Sequence, residues 1–248
     1  MNKVHRVDFV RRTVMGTKER RIRERNNRVK QIQEAAKDLF LKKGYQGSTI
    51  EEIAELAELS KGTIYLYFKN KDDLYVSLLL SGIEKLRLKL LEFEKKLNLG
   101  KYKNSLEFIM GYYEIHAERY KDDPGSLRIF QTFQLGNLFL LLSKENYGRI
   151  AARGHENLII SRRIISRAIE MGAIPKVNPI QLCDILWAVF LGNVQLGESK
   201  LVFTKKDYLL DNLKSSFSLI AEGIKALETD FNEIPKGDQT SEEPATGR

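Results

Sequence analysis

Residues 49–71 constrain the fold most, because they predict two short helices that follow each other closely and carry separate start signals. Thr49 followed by Glu52 fits a capping box, in which the hydroxyl accepts from a free amide and the carboxylate bonds back to the capping residue. Ser60 is a favoured capping residue for the second helix. Only a three-residue break separates the two helices. The stretch therefore predicts a tight helix-turn-helix.

Each of these helices has one apolar face. In the first helix the apolar positions recur at helical spacing, at Ile50, Ile53, Ala54 and Ala57. In the second, Ile64 and Phe68 are four residues apart and form the buried side. At about 100° per residue, Gly62, Thr63 and Leu66 then point away from that side, and Tyr65 and Tyr67 lie at its flanks. A helix whose outer face is small, hydroxylated and aromatic suits the major groove of DNA, so a DNA-binding helix-turn-helix is predicted.

The same residues resemble the DNA-binding signature of the TetR/AcrR family of bacterial transcriptional regulators. The match runs from about Val29 to Leu78, one fifth of the chain, and residues 60–71 (Ser-Lys-Gly-Thr-Ile-Tyr-Leu-Tyr-Phe-Lys-Asn-Lys) are its most specific part. Glu58 departs from the pattern, since the family usually has glycine there. If that residue must be left-handed, a side chain costs about 1–2 kcal/mol. The resemblance implies a ligand-responsive regulator, usually a homodimeric repressor that binds a palindromic operator in double-stranded DNA.

Geometry and resemblance nominate nearly the same residues for contact with DNA. They are Thr49, Lys61, Gly62, Thr63, Tyr65, Leu66, Tyr67 and Lys71. Thr63 and Leu66 are expected to reach base edges, while Gly62 permits close approach of the backbone. The lysines and tyrosines resemble the phosphate contacts of the family, and Thr49 adds a helix-tip contact. The alternative that Tyr65 or Tyr67 merely packs against the first helix stays open.

The basic charge of the chain is concentrated at its start. Residues 1–30 hold eleven basic and three acidic residues, which equals the net charge of +8 of the whole chain. A polyanionic partner explains this distribution, because lysine and arginine release counterions from phosphates. A solvated tail is the plainer alternative. A second functional hypothesis follows from the same charge: a DNA-binding protein without sequence preference, driven by the basic arm.

The sequence predicts an all-α fold, with a three-helix helix-turn-helix domain followed by a larger helical ligand-binding and dimerisation domain. The expected domains are a basic mobile arm (1–25), the DNA-binding domain (26–72), the larger domain (73–232) and a disordered tail (233–248). The first helix is expected to begin at Asn26 or Asn27, and the three short helices are expected to close one core through Phe40, Ile53, Ile64 and Phe68. In the larger domain one helix is expected over 126–142. Another is expected over 179–197, with Pro179 in its first turn behind the capping residue Asn178, followed by a short connection around 198–203. A long helix from about Asn70 to Leu97 leaves the first domain and enters the second, so it is expected to link them mechanically.

Aromatic residues on the helices of the larger domain suggest an apolar cavity with a few polar groups. The candidate ligand-binding residues are Phe108, Tyr112, His116, Phe130, Phe133, Gln134, Trp187, Phe190 and Asn193. Aromatic residues at helical spacing are often plain core, and that alternative stays open for each of them. The expected effector is a lipophilic or amphipathic small molecule. The last two helices carry apolar stripes that predict a homodimer through an intermolecular four-helix bundle, although the stripes could be intramolecular core instead.

Other classes are poorly supported by the sequence. The histidines His5, His116 and His155 are far apart, and no phosphate loop, catalytic arrangement or metal-ligand spacing is present, so neither an enzyme nor a cofactor is expected. The single Cys183 excludes an intrachain disulfide. Apolar runs are interrupted before the length of a membrane span, and a cytoplasmic protein is expected. A module that binds a protein instead of DNA is a third class, which the intact residues 61–71 argue against.

Overall fold

The structure, a computed structural model, describes the backbone of residues 4–233 and, apart from 135 and 202, the side chains of residues 16–227. All regular elements in this part of the chain are helices, as predicted. Nine α-helices follow each other: α1 (Val4–Lys43), α2 (Ile50–Leu56), α3 (Lys61–Tyr65), α4 (Lys71–Asn98), α5 (Ser105–Asp122), α6 (Pro124–Leu135), α7 (Lys144–Glu170), α8 (Pro179–Thr204) and α9 (Leu209–Glu233). A single 3-10 turn, Leu138–Leu140, follows α6.

The predicted helix starts are confirmed at α2, α3, α4 and α8. The backbone amide of Glu52 donates to the Thr49 hydroxyl, and the Glu52 carboxylate accepts from the Thr49 amide, which completes the capping box of α2. The Ser60 hydroxyl accepts from the Thr63 amide at the start of α3, at 3.1 Å. Asn70 caps α4 by accepting from the Asp73 amide. Pro179 occupies the first turn of α8 behind its capping residue Asn178.

The predicted start of the first helix near Asn26 is wrong, because α1 begins at Val4. Arginine, lysine and glutamate are strong helix formers, and the ion pair between Arg20 and Glu24, one turn apart, supports helix where apolar periodicity is missing. The helix predicted over 126–142 is also wrong in its second half. It ends at Leu135, and Asn137 has a left-handed backbone, with φ of 51°.

The connection predicted around 198–203 is wrong as well, since α8 continues to Thr204. The chain turns only at Lys205, whose φ of 58° is left-handed. By length and composition, the stretch Pro179–Leu201 is long and apolar enough to cross a membrane, a test that core helices of soluble proteins also pass. A bond between the Asn193 amide and the Ser216 hydroxyl, at 3.1 Å, joins α8 to α9.

The chain divides into two compact units. The first contains the chain up to Leu88 together with Arg119–Asn157, and the second contains Lys89–Glu118 and Leu158 onward. These units group residues by contact, so the domain limits given above, at 25/26, 72/73 and 232/233, stay predictions. The tail 233–248 lies almost wholly outside the described residues.

The core of the first unit joins the helix-turn-helix to α4 and α6. Phe40, Ile53, Ile64 and Phe68, the residues expected to close a small core, are all buried in it. The phenol of Tyr75, buried on α4, donates to the carbonyl of Ile129 on α6 at 3.1 Å. α6 is thereby fixed to the helix that follows the helix-turn-helix.

Candidate functional site

The exposed face of α3 and the residues around it form the candidate site. Ile64 is fully buried and Phe68 is 6% exposed, so the opposite side of the helix is turned outward. Leu66, at its end, is 76% exposed, and Tyr65 is 46% exposed. No core contact accounts for such exposed apolar and aromatic groups. The helix therefore presents a surface able to enter a groove.

The polar residues of this surface are fixed by local contacts. The Thr63 hydroxyl lies 2.8 Å from that of Ser60, the capping residue. Lys61 forms an ion pair with Glu51 on α2 and lies 5.9 Å from the centre of the Tyr65 ring. The hydrogen bond from Lys61 lowers the pKa of the Glu51 carboxyl. Gly62 is exposed, and a side chain there would have the Ser60 hydroxyl as its nearest neighbour, at 3.8 Å.

Thr49 and Lys71 complete the predicted DNA-binding set, at the edges of this surface. Thr49 is exposed at the start of α2. Lys71 lies at the start of α4, where its ammonium donates to the carbonyls of Tyr45 (2.9 Å) and Ser48 (2.8 Å). It also lies 4.5 Å from the centre of the Tyr45 ring. Lys71 thus holds the loop that leads into α2, and the predicted phosphate contact remains a prediction.

The turn between α2 and α3 is left-handed at Glu58, the position where the family usually has glycine. Glu58 has φ of 54°, the left-handed region in which a side chain is strained. The turn is braced from α1, because the side-chain amide of Gln31 donates to the carbonyl of Ala57 at 2.7 Å. Two residues of α1 that sequence reasoning did not select, Gln31 and Arg25, contact this region. The Arg25 guanidinium lies 5.3 Å from the centre of the Tyr67 ring.

Five of the predicted ligand-binding residues meet in the second unit. The ring of His116 stacks on Phe190, with centres 4.3 Å apart, and lies 5.7 Å from Tyr112 and 6.0 Å from Trp187. Phe108 lies 6.4 Å from Tyr112. The buried Tyr112 hydroxyl donates to Ser161 at 2.8 Å, and burial raises the pKa of this phenol. The five form a packed aromatic cluster.

The other four predicted ligand-binding residues do not join this cluster. Phe133 and Phe130 pack in the core of the first unit, and Gln134 is exposed. Asn193 bonds to Ser216, as described above. Sequence spacing could not separate them, because residues on different helices have no shared period. Their predicted role in ligand binding remains a prediction.

One groove of the second unit lies apart from these residues. It has a volume of about 650 Å³ and is lined by Arg162, Ser166 and residues 176–180. No predicted ligand-binding residue lines it. Among the described side chains, no group of three His, Cys, Asp or Glu residues could hold a metal ion. Cys183 is buried, and burial raises the pKa of its thiol to about 12, which disfavours the reactive thiolate.

Comparison with known proteins places this geometry in a family. Residues 32–78, which span the end of α1 to the first turns of α4, match the sequence model of "Bacterial regulatory proteins, tetR family". The chain is 28% identical over 159 residues to the HTH-type transcriptional regulator RutR of Escherichia coli K12, covering 64% of this chain and 70% of RutR.

Solved structures show the same fold. FadR of Bacillus halodurans, a fatty acid degradation regulator, superimposes with a TM-score of 0.62 at 22% identity over 80% of this chain and 96% of that one. FadR of Bacillus subtilis, solved in complex with stearoyl-CoA, gives 0.59 at 24% identity over 78% and 98%. The capped helix-turn-helix and the helical remainder agree with these comparisons. Residues 32–78 place the DNA-binding domain of the chain in the TetR family of bacterial regulatory proteins, and the chain has the fold of solved TetR-family transcriptional regulators.

Proposed function

We propose that the protein is a cytoplasmic, homodimeric repressor that binds a palindromic operator and leaves it when a lipophilic or amphipathic ligand binds. The observation that carries this proposal is the outward face of α3, on which Thr63 and Leu66 stand opposite the buried Ile64. A dimer places two such helices about 34–36 Å apart, one DNA turn, so that they enter successive major grooves.

The proposed route from ligand to DNA runs along α4. This helix begins beside the helix-turn-helix, where the Arg149 guanidinium donates to Asp73 at 2.9 Å, and it extends to Asn98. A ligand that prefers one position of α4 would change the separation of the two α3 helices. Operator and ligand would then be negatively coupled by the same factor in each direction.

The effector class we propose to test first is the acyl-CoA thioesters. FadR of Bacillus subtilis was solved with stearoyl-CoA, and the packed aromatic cluster around His116 gives the second unit an apolar interior that an acyl chain would have to open. Stearoyl-CoA, stearate and free CoA would be added separately to the purified protein–operator complex. Release by stearoyl-CoA alone would support the thioester. Release by stearate would assign recognition to the acyl chain, and no release by any probe would remove this class.

The DNA-binding proposal is tested by selection of fragmented genomic DNA at about 150 mM salt, near physiological ionic strength. An enriched palindrome is expected, and Thr63→Ala and Lys61→Ala should each weaken binding to it. Lys95→Ala is the matched control, because Lys95 is exposed at the far end of α4. Operator binding that neither α3 variant weakens would contradict the assignment of α3 as the recognition helix.

The second candidate is binding of DNA without sequence preference. One observation favours it: residues 16–27 of α1 are all exposed, and basic residues outnumber acidic ones among them. Deleting residues 1–25 separates the two candidates. Sequence preference survives this deletion if α3 reads the operator. If the basic helix alone drives binding, affinity collapses and the selected pool of the full chain has no common sequence.

A further inference from the structure

α1 continues well beyond the helix-turn-helix that it supports. Its side chains become partly covered only from Arg28 onward, whereas those of residues 16–27 are exposed. The match to the family's sequence model begins later still, at residue 32. This projecting part of α1 therefore lies outside the residues that match the family's sequence model.

The basic residues of this part lie on two opposite faces of the helix. At about 100° per residue, Lys18, Arg21, Arg25 and Arg28 fall within an arc of about 80°, which also contains the buried Ile32. These four residues are called the basic stripe. A second set, centred about 160° away, forms the outer face and consists of Arg20, Arg23 and Lys30.

The acidic residues of the described segment form no hydrogen bond with the stripe, although the charge of Arg21 helps to lower the pKa of Glu24. Glu24 accepts from Arg20, a residue of the outer face, at 2.8 Å. This bond lowers the pKa of the Glu24 carboxyl. Glu19 lies about 120° from Arg25 around the helix, nearer the outer face. Within the described side chains, no ion pair involves the stripe. Lys18 and Arg21 are exposed and available for an external anion, while Arg25 and Arg28 also contact neighbouring residues of the protein.

The stripe is continuous with the candidate DNA-binding surface. Arg25 lies over the ring of Tyr67, just beyond α3. Arg28 donates to the side-chain oxygen of Gln31 at 2.8 Å, and Gln31 in turn holds the carbonyl of Ala57 in the turn before α3. The same face of α1 thus packs on the helix-turn-helix in its later turns and carries the basic stripe in its earlier turns.

We propose that the basic stripe binds phosphates of the same DNA duplex, outside the half-site that α3 reads. This inference rests on the proposed operator binding. It adds a second contact, made to the DNA backbone and not to the bases. Lys18 and Arg25 are about 10 Å apart along the helix axis, so the stripe follows the DNA backbone over more than one phosphate. The stripe increases affinity and lengthens the protected region without reading sequence.

The test compares two double variants that remove the same charges from opposite faces. Lys18→Gln with Arg21→Gln alters the stripe, and Arg23→Gln with Lys30→Gln alters the outer face. All four residues are exposed, and glutamine is a good helix former, so both variants should keep the helix content and melting temperature of the wild type. Arg25 and Arg28 are left unchanged because they touch helix-turn-helix residues.

Operator affinity is measured between 50 and 200 mM salt, with hydroxyl-radical footprints of each complex. Each lost phosphate contact lowers the slope of log K against log salt by about 0.9, so the stripe variant should lose about 1.8 per protomer. Protection flanking each half-site should disappear with it, while the outer-face variant keeps both slope and footprint. Equal losses in the two variants, or unchanged flanks in both, would overturn the proposal.

Failure of the proposed function itself would look different. It would appear in the wild-type protein as a selected DNA pool without a common sequence. The stripe proposal fails only when the wild type binds an operator and the two double variants behave alike.

Discussion

Lys71 shows how one residue can serve the fold at the edge of a binding surface. Its ammonium donates to two backbone carbonyls and lies over the Tyr45 ring. The Tyr45 hydroxyl in turn donates to Asp72, and burial and this bond raise the pKa of the phenol, which stays a donor at neutral pH. The Lys71 ammonium therefore fixes the path of the chain into α2, independently of any contact with DNA.

Glu58 is the residue at which local strain should be measurable. Glu58→Gly should raise the free energy of unfolding by about 1 kcal/mol, because it removes the left-handed strain that outweighs the extra freedom of glycine in the unfolded chain. Glu58→Ala is the control, since it removes the carboxylate and keeps the Cβ atom. Urea unfolding measures both. Equal stabilisation by glycine and alanine would assign the effect to charge instead of to the backbone.

At the scale of elements, Asp123 joins three helices of the first unit. It caps α6 by accepting from the Ser126 amide at 3.1 Å, and its carboxylate pairs with Lys37 of α1 (3.3 Å) and Lys85 of α4 (2.9 Å). Burial by itself raises the pKa of Asp123, but the bonds from Ser126 and Lys85 outweigh it and hold the pKa well below its usual value. The carboxylate therefore stabilises the folded chain at neutral pH.

Replacing Asp123 should separate its charge from its capping role. Asp123→Asn keeps a favoured cap and should lower the free energy of unfolding by about 2 kcal/mol, the range of hydrogen bonds to a charged group. Asp123→Ala should lose about 1 kcal/mol more with the cap. Because the folded-state pKa is depressed, the contribution is present above the unfolded-state value of about 4 and is lost as the pH falls below it.

Thermal unfolding of the three proteins between pH 3 and pH 7 is the measurement. The difference between the wild type and Asp123→Asn should shrink below about pH 4. A difference that stays constant over this range would show that the asparagine variant loses packing or geometry and not charge.

Local signals predicted the elements well, and their failures have physical causes. The capping residues Thr49, Ser60 and Asn178 marked helix starts correctly, because a cap acts within a few residues. The start of α1 was missed because its first turns are stabilised by residues of high helix propensity and by ion pairs. Neither produces an apolar period in the sequence. Arg25 could have been selected, since it stands seven residues before the buried Ile32 on the same face.

The aromatic residues of the second domain show the limit of periodicity. Spacing places a side chain on a face of its own helix but does not tell which other helix that face meets. Phe133 and Phe190 looked equivalent in the sequence, yet the first packs beside α1 to α4 and the second beside His116. Only long-range contacts distinguish a cavity wall from a core, so this part of the candidate site could not be predicted.

At the scale of the whole molecule, much of the apolar stripes that were predicted to face a partner subunit is buried within the chain itself. Leu209, Leu213 and Phe217 are fully buried, and so are Leu186 and Phe190. Other apolar residues of α8 and α9 remain outside: Ile185 is 49% exposed, Leu196 48%, Phe203 85% and Leu219 74%. Those of α8 lie within an arc of about 20°, which makes one continuous outward face.

We place the proposed homodimer interface on this face of α8 and on the exposed Leu219 of α9, which are together called the outward face. A monomer carries one α3 and binds one half-site, so loss of the dimer should appear as loss of operator binding. Leu219→Lys puts a charge into the face and should convert the protein to monomer in sedimentation velocity experiments. Operator affinity should fall at least tenfold, which corresponds to about 1.4 kcal/mol.

Leu99→Lys is the matched control for this variant. Leu99 is 76% exposed, close to the 74% of Leu219, but it lies in the loop after α4 and not on α8 or α9. It should leave both the sedimentation coefficient and the operator affinity unchanged. If Leu219→Lys remained dimeric and bound the operator as tightly as this control, α9 would lie outside the interface. The subunits would then have to meet through other surfaces, and the exposed side chains of α8 and α9 would need another explanation.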